Sequence, residues 1–140
     1  MSRIFWDTNL FIYLLEGKDK LSPATRHLRR NMLARGDQLL TSAITLGEVL
    51  VKPLEQGNTL LCRLYEEAIT KSALLLLFDS KAAWNYAAIR RDRSLRAPDA
   101  MQLACAGSVG VDLFVTNDHR LQGKNVPGIQ FIVPLDRVPI

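Results

Sequence analysis

A single α/β domain of three layers (α/β/α), built on a mainly parallel sheet of about four to five strands, is the fold the sequence predicts for residues 1–140. Three observations predict it. Short unbroken apolar runs, Ile4–Trp6 and Leu74–Phe78 among them, have the composition of strands buried on both faces. Helix-length segments with start and stop signals separate those runs. A chain of 140 residues suits one domain around one core.

The first strand, Ile4–Trp6, stops at Asp7. Thr8 or Asn9 can cap a helix from Leu10 to Glu16, which Gly17 ends. Ser22-Pro23 reads as a cap and a first-turn proline for a helix to about Arg35, closed by Gly36. Gln38–Thr41 is a second strand. Ser42 can cap a helix from Ala43 to about Val51, with Pro53 as its stop. Gly57-Asn58 breaks the chain before a helix from about Thr59 to Lys71. The third strand is Leu74–Phe78. Asp79 or Ser80 begins a helix over about Lys81–Leu95, expected to turn Trp84, Ala87, Ala88 and Ile89 toward a core. Ala97-Pro98 punctuates, and Asp99 opens a helix of small apolar residues, Ala100 to about Ser108. Asp112–Thr116 and Gln130–Val133 complete the sheet. Strands alternating with helices in this way imply parallel pairing.

Composition narrows the function classes. No apolar run approaches the roughly 20 residues of a membrane span. The N-terminus lacks a charged-then-apolar secretion pattern, so a cytoplasmic protein without a membrane partner is expected. Cys62 and Cys105 sit among apolar neighbours, as reduced core thiols do. His27 and His119 are the only histidines, and no Cys/His cluster has zinc spacing. The formal net charge is +4. A basic shell around an acidic pocket suits a polyanion held while a metal works on it; charge alone decides little. Arg26, Arg29 and Arg30 share one helix face, and Arg91, Arg93 and Arg96 crowd a helix end. Solvated faces are the plain reading of both clusters. Arg96, three residues before Asp99, is the best placed to contact a phosphate.

Four acids recur at matching places. Asp7 follows the first strand and Asp118 follows the fourth. Glu48 lies roughly one and two-thirds turns into the largely apolar helix that Ser42 starts. Asp99 stands at the start of the small-residue helix. With parallel strands, all four positions fall at one sheet edge, the carboxyl-end edge where open α/β sheets bind ligands. Helix capping and a buried ion pair would account for any one of them; four in matching positions favour a site. Each like-charged pair at 4 Å costs about 1 kcal/mol in water and several times more in a crevice. Such a cluster binds protons or cations. All-oxygen ligands select Mg²⁺ or Mn²⁺. A divalent ion so held generates hydroxide and steadies the charge on a phosphodiester.

The segments Asp7-Thr8-Asn9-Leu10-Phe11-Ile12-Tyr13-Leu14, Thr45-Leu46-Gly47-Glu48, Pro98-Asp99-Ala100-Met101-Gln102-Leu103-Ala104 and Thr116-Asn117-Asp118 resemble the PIN-domain nucleases. The small size resembles the VapC-type toxins of toxin–antitoxin pairs. The resemblance covers essentially the whole chain. It implies that Asp7, Glu48, Asp99 and Asp118 form a catalytic, metal-binding quartet, with Asn9, Ser42 and Thr116 orienting ligands. It also implies Mg²⁺-dependent cutting of RNA, a homodimer and a cognate antitoxin. Leu121 departs from the pattern, standing where many members carry an aromatic.

Rival readings make distinct demands. A haloacid-dehalogenase-type phosphatase needs a second Asp where Asn9 stands. A response-regulator receiver needs an acid pair at the first strand, and Arg3–Trp6 offers none. A non-catalytic RNA-binding module of the same fold predicts binding that a chelator leaves unchanged, and no cleavage.

Overall fold

The computed structural model describes all residues, 1–140. It contains five strands: β1 (Arg3–Trp6), β2 (Gln38–Ser42), β3 (Leu74–Leu76), β4 (Val111–Val115) and β5 (Ile129–Val133). The helices are α1 (Thr8–Glu16), α2 (Ser22–Arg35), α3 (Ala43–Glu55), α4 (Thr59–Ser72), α5 (Ser80–Ile89) and α6 (Ala97–Val109). Two single 3₁₀ turns cover His119–Leu121 and Leu135–Arg137.

All strands run parallel, in the order β3-β2-β1-β4-β5. The central β1 pairs Phe5 with Leu40 on one side and with Phe114 on the other. Alternation along β1 sends its side chains to opposite layers. Ile4 and Trp6 enter a cluster with Leu10, Phe11, Met32 and Ile69. Phe5 enters the opposite cluster with Leu103, Cys105 and Phe114, its ring stacked on Phe114 at 4.9 Å. Each face of the sheet is thus sealed by helices, α1, α2 and α4 against the first cluster and α5 and α6 against the second. Gly128 allows α6 to approach the sheet closely. Its φ is +89°, and an added Cβ would lie 2.1 Å from the Gly107 carbonyl oxygen.

Several expected boundaries move, each for an identifiable reason. Asp7, rather than Thr8 or Asn9, caps α1 by accepting from the Thr8 amide, and Gly17 ends that helix in the left-handed conformation. α6 starts at Ala97, so Pro98 lies in its first turn, where a missing amide costs nothing. Asp99 is therefore inside the first turn and not the residue before it. Pro53 does not stop α3, which runs on to Glu55. Proline there withholds one amide from the Val49 carbonyl, and the helix ends two residues later. β3 ends at Leu76, and α5 ends at Ile89 where turns take over. Trp84 does not enter the core but is 81% exposed, and Ala87 and Ala88 are exposed as well. α5 buries Ala82 completely, half-buries Asn85, Tyr86 and Ile89, and sends Trp84 to the other side.

Candidate active site

β1 and β4 are neighbours, but the chain reaches them from opposite sides of the sheet. The crevice beyond their carboxyl ends is therefore the topological switch point. The amide of Asp7 donates to the Val115 carbonyl at 3.0 Å, so the two strand ends are locked together there. Helices run antiparallel to the strands, which brings the N-termini of α1, α3 and α6 to the same edge.

A polar cleft of about 260 Å³ opens at this edge. Its lining is Asp7, Thr8, Asn9, Glu48, Arg96, Pro98, Asp99, Gln102 and Asp118. The four acids singled out in the sequence share this one cleft, and Asn9 and Arg96 stand on its wall. Ser42 and Thr116 do not line it; both are fully buried. Thr116 Oγ1 donates to Asp7 Oδ2 at 2.7 Å and accepts from the Asp118 amide at 3.1 Å, so it orients two acids from below. Ser42 caps α3 and donates to the Gln102 carbonyl oxygen. A larger cavity of about 560 Å³ lies between the end of α5 and residues 124–127. Its acid, Asp92, is already paired with Lys124 at 2.8 Å, so that cavity gathers no free carboxylates.

A buried polar chain positions Glu48. Gln102 is 2% exposed, and its amide nitrogen donates to Thr45 Oγ1 at 2.7 Å and Thr8 Oγ1 at 3.1 Å. Thr8 Oγ1 donates its single proton to Glu48 Oε1 at 2.7 Å. Thr45, 3.2 Å from Thr8, is then the donor in that pair. Sequence reading missed Gln102 as part of the site, along with Thr8 and Thr45. The signal was available: Gln102 is the one amide in an otherwise small and apolar helix, one turn after Asp99.

Sequence reading also missed Arg120. Its guanidinium meets Asp118 through both ends, Nε to Oδ1 at 3.0 Å and Nη2 to Oδ2 at 2.6 Å. Arg96 Nε reaches Asp99 Oδ2 at 3.2 Å. Arg29, by contrast, turns its guanidinium inward to the Ser72 carbonyl, which removes it from the basic ridge read on α2.

The acids differ electrostatically. Burial pushes the Asp7 carboxyl above its usual range; hydrogen bonds from Thr116 and Thr8 offset part of this, and the Asp99 and Glu48 carboxylates add to the push. Hydrogen bonding from Arg120 holds the Asp118 carboxyl below its usual range, against some opposition from burial. Two acids of the cleft are thus shifted in opposite directions.

The donor set, carboxylates without thiol or imidazole, fits a hard divalent cation. As the side chains stand, no three of them converge on one point, and Asp99 and Asp118 pair with arginines.

The sequence matches the PIN domain family over residues 4–125. The chain belongs to the PIN domain family. PIN domains generally use divalent metal ions, in keeping with the oxygen donors of the cleft. No curated protein matches the sequence. Among solved structures, this PIN domain is similar to a chain of a DNA-bound VapBC from Salmonella typhimurium. The TM-score is 0.72 and the identity 24%, over 96% of this chain and 99% of that one. A toxin–antitoxin complex from Klebsiella pneumoniae gives 0.68 and 24%, over 90% and 94%. VapBC2 from Rickettsia felis, bound to a promoter DNA fragment, gives 0.69 and 15%, over 94% and 98%. At these identities the likeness is one of fold.

Proposed function

We propose that this PIN domain is a Mg²⁺-dependent endoribonuclease, with Mn²⁺ as an alternative ion, and that it acts as the VapC-type toxin of a toxin–antitoxin pair. The observation that carries the reading is the sharing of one cleft by Asp7, Glu48, Asp99 and Asp118, which come from four separate elements. The solved structures of similar fold are named as VapBC or toxin–antitoxin complexes, which supports a cognate antitoxin as partner. A homodimer and a cytoplasmic location belong to the same reading. No helix is long and apolar enough to cross a membrane.

Asp7, Asp99 and Asp118, with Glu48, would hold the ion. A bound divalent ion supplies a water acidic enough to give hydroxide at neutral pH and positive charge beside the phosphodiester. The protein's own part is placement. Thr116 fixes Oδ2 of Asp7, and the Thr8 amide fixes Oδ1. Gln102, through Thr8, fixes Glu48, and Ser42 anchors Gln102. Asn9 stands at the mouth to orient substrate, and Arg96 offers a guanidinium to a phosphate. Asp7, whose carboxyl is pushed above its usual range by burial, gains from a cation that favours its charged form.

Brief induction of the protein followed by sequencing of cellular RNA ends tests the reading. New ends at a restricted set of sites, absent with Asp7→Asn, are expected. An identical pattern of ends in both would remove the nuclease assignment.

A further inference from the structure

We propose that Arg120 is an exchangeable cation of the cleft: it holds Asp118 and Asp99 until a divalent ion takes them, and its freed guanidinium then binds an RNA phosphate. The inference rests on the metal-dependent nuclease reading above and adds a residue to it.

Arg120 contacts both oxygens of Asp118. Its Nε is 3.0 Å from Oδ1 and its Nη2 is 2.6 Å from Oδ2, while its backbone amide also donates to Oδ1 at 3.0 Å. The same Nη2 lies 3.9 Å from Asp99 Oδ2. One guanidinium thus spans two of the four acids. A divalent ion on those oxygens would lie close against the guanidinium's like charge, so the two cations compete for the acids. Arg96 is a weaker claimant, with one contact to Asp99 at 3.2 Å and a distant one to Asp118 at 4.0 Å.

Release is sterically free. The Arg120 side chain is 51% exposed while that of Asp118 is 17% exposed, so the arginine swings toward solvent and leaves the acid in place. The guanidinium has no side-chain hydrogen bond other than those to Asp118. Once displaced, it is an unpaired planar fork at the mouth of the cleft, the geometry that takes phosphate oxygens in pairs. The same residue therefore opposes the ion in the empty cleft and assists substrate in the loaded one.

This predicts opposite signs for one substitution. Mn²⁺ affinity, read by electron paramagnetic resonance, is compared for the parent, Arg120→Gln and a charge-matched control, Arg63→Gln on α4. Arg120→Gln should bind Mn²⁺ about fivefold more tightly, the scale of a half-exposed ion pair, and Arg63→Gln should equal the parent. RNA affinity in saturating Ca²⁺ should fall for Arg120→Gln, with the salt slope reduced by about one contact. Equal Mn²⁺ affinity in parent and Arg120→Gln, or unchanged RNA affinity, would overturn the exchange while leaving the metal site standing. Failure of every variant to bind Mn²⁺ would overturn the metal site and this proposal together.

Discussion

At Asp7 one carboxylate caps a helix, accepts from Thr116 and is pushed by burial toward its protonated form. Its folded pKa lies above the unfolded value of about 3.9. The linkage therefore favours the folded state below that value and is lost as pH rises through the folded pKa. Asp7→Asn removes this loss. Asparagine keeps the oxygen that accepts from the Thr8 amide, and its amide can donate to Thr116 Oγ1. Asp7→Asn should consequently melt higher than the parent at pH 7, with the gain vanishing below about pH 4. Each kcal/mol gained would appear as roughly 3–5 °C for a domain of this length. Asp118 has the opposite sign: hydrogen bonding from Arg120 lowers its pKa, so its contribution is present above the unfolded value and fades as pH falls through the folded one. With a half-exposed arginine as partner, that contribution is small. Thermal melts of Asp7→Asn and Asp118→Asn between pH 3 and pH 8 check these signs; a lower melting temperature for Asp7→Asn at pH 7 would show that its capping outweighs its charge.

Between elements, Gln102 is the tie. From α6 it reaches Ser42 at the end of β2, Thr45 on α3 and Thr8 on α1. Gln102→Leu fills similar volume but leaves the buried Ser42 hydroxyl proton without its acceptor and the Thr45 and Thr8 oxygens without the Gln102 donor. Stability should drop by about 1–3 kcal/mol, the cost of leaving buried polar groups unpaired. Urea titration measures this, and an unchanged midpoint would remove the network from the account. Gln102 also marks what the sequence discloses. The strands were legible because burial on both faces leaves continuous apolar runs such as Ile4–Trp6. Asp7, Glu48, Asp99 and Asp118 were legible because parallel topology ties strand ends and helix starts to one edge. Arg120 was not, because its partner is set by a 3₁₀ turn after Asp118, and turn geometry leaves little trace in periodicity. Trp84 misled because α5 packs through Ala82, Asn85, Tyr86 and Ile89 and leaves the indole outside. Pro98 misled as punctuation because proline is tolerated in the first turn of a helix, and Pro53 because α3 carries it near its end at the cost of one amide.

Over the whole molecule, a chain of net charge +4 gathers four acids in one cleft, so the rest of the chain is more basic than the whole. Such a distribution attracts a polyanion from a distance and concentrates a cation at one point of it. Binding and cutting should therefore separate. The shell, Arg96 included, governs affinity and its salt dependence, and the acids govern the chemical step. Arg96→Ala should weaken binding to all RNA sequences alike and flatten the salt slope by about one contact. An unchanged slope would return Arg96 to a plain helix-end charge. The most direct test of the central claim uses the purified protein, structured RNA and a gel. Incubation in Mg²⁺, in EDTA, and in Mg²⁺ with Asp7→Asn or Asp99→Asn should give discrete cleavage in the first condition alone. Cleavage that persists in EDTA, or in both Asn variants, would contradict a metal-dependent site built on these acids.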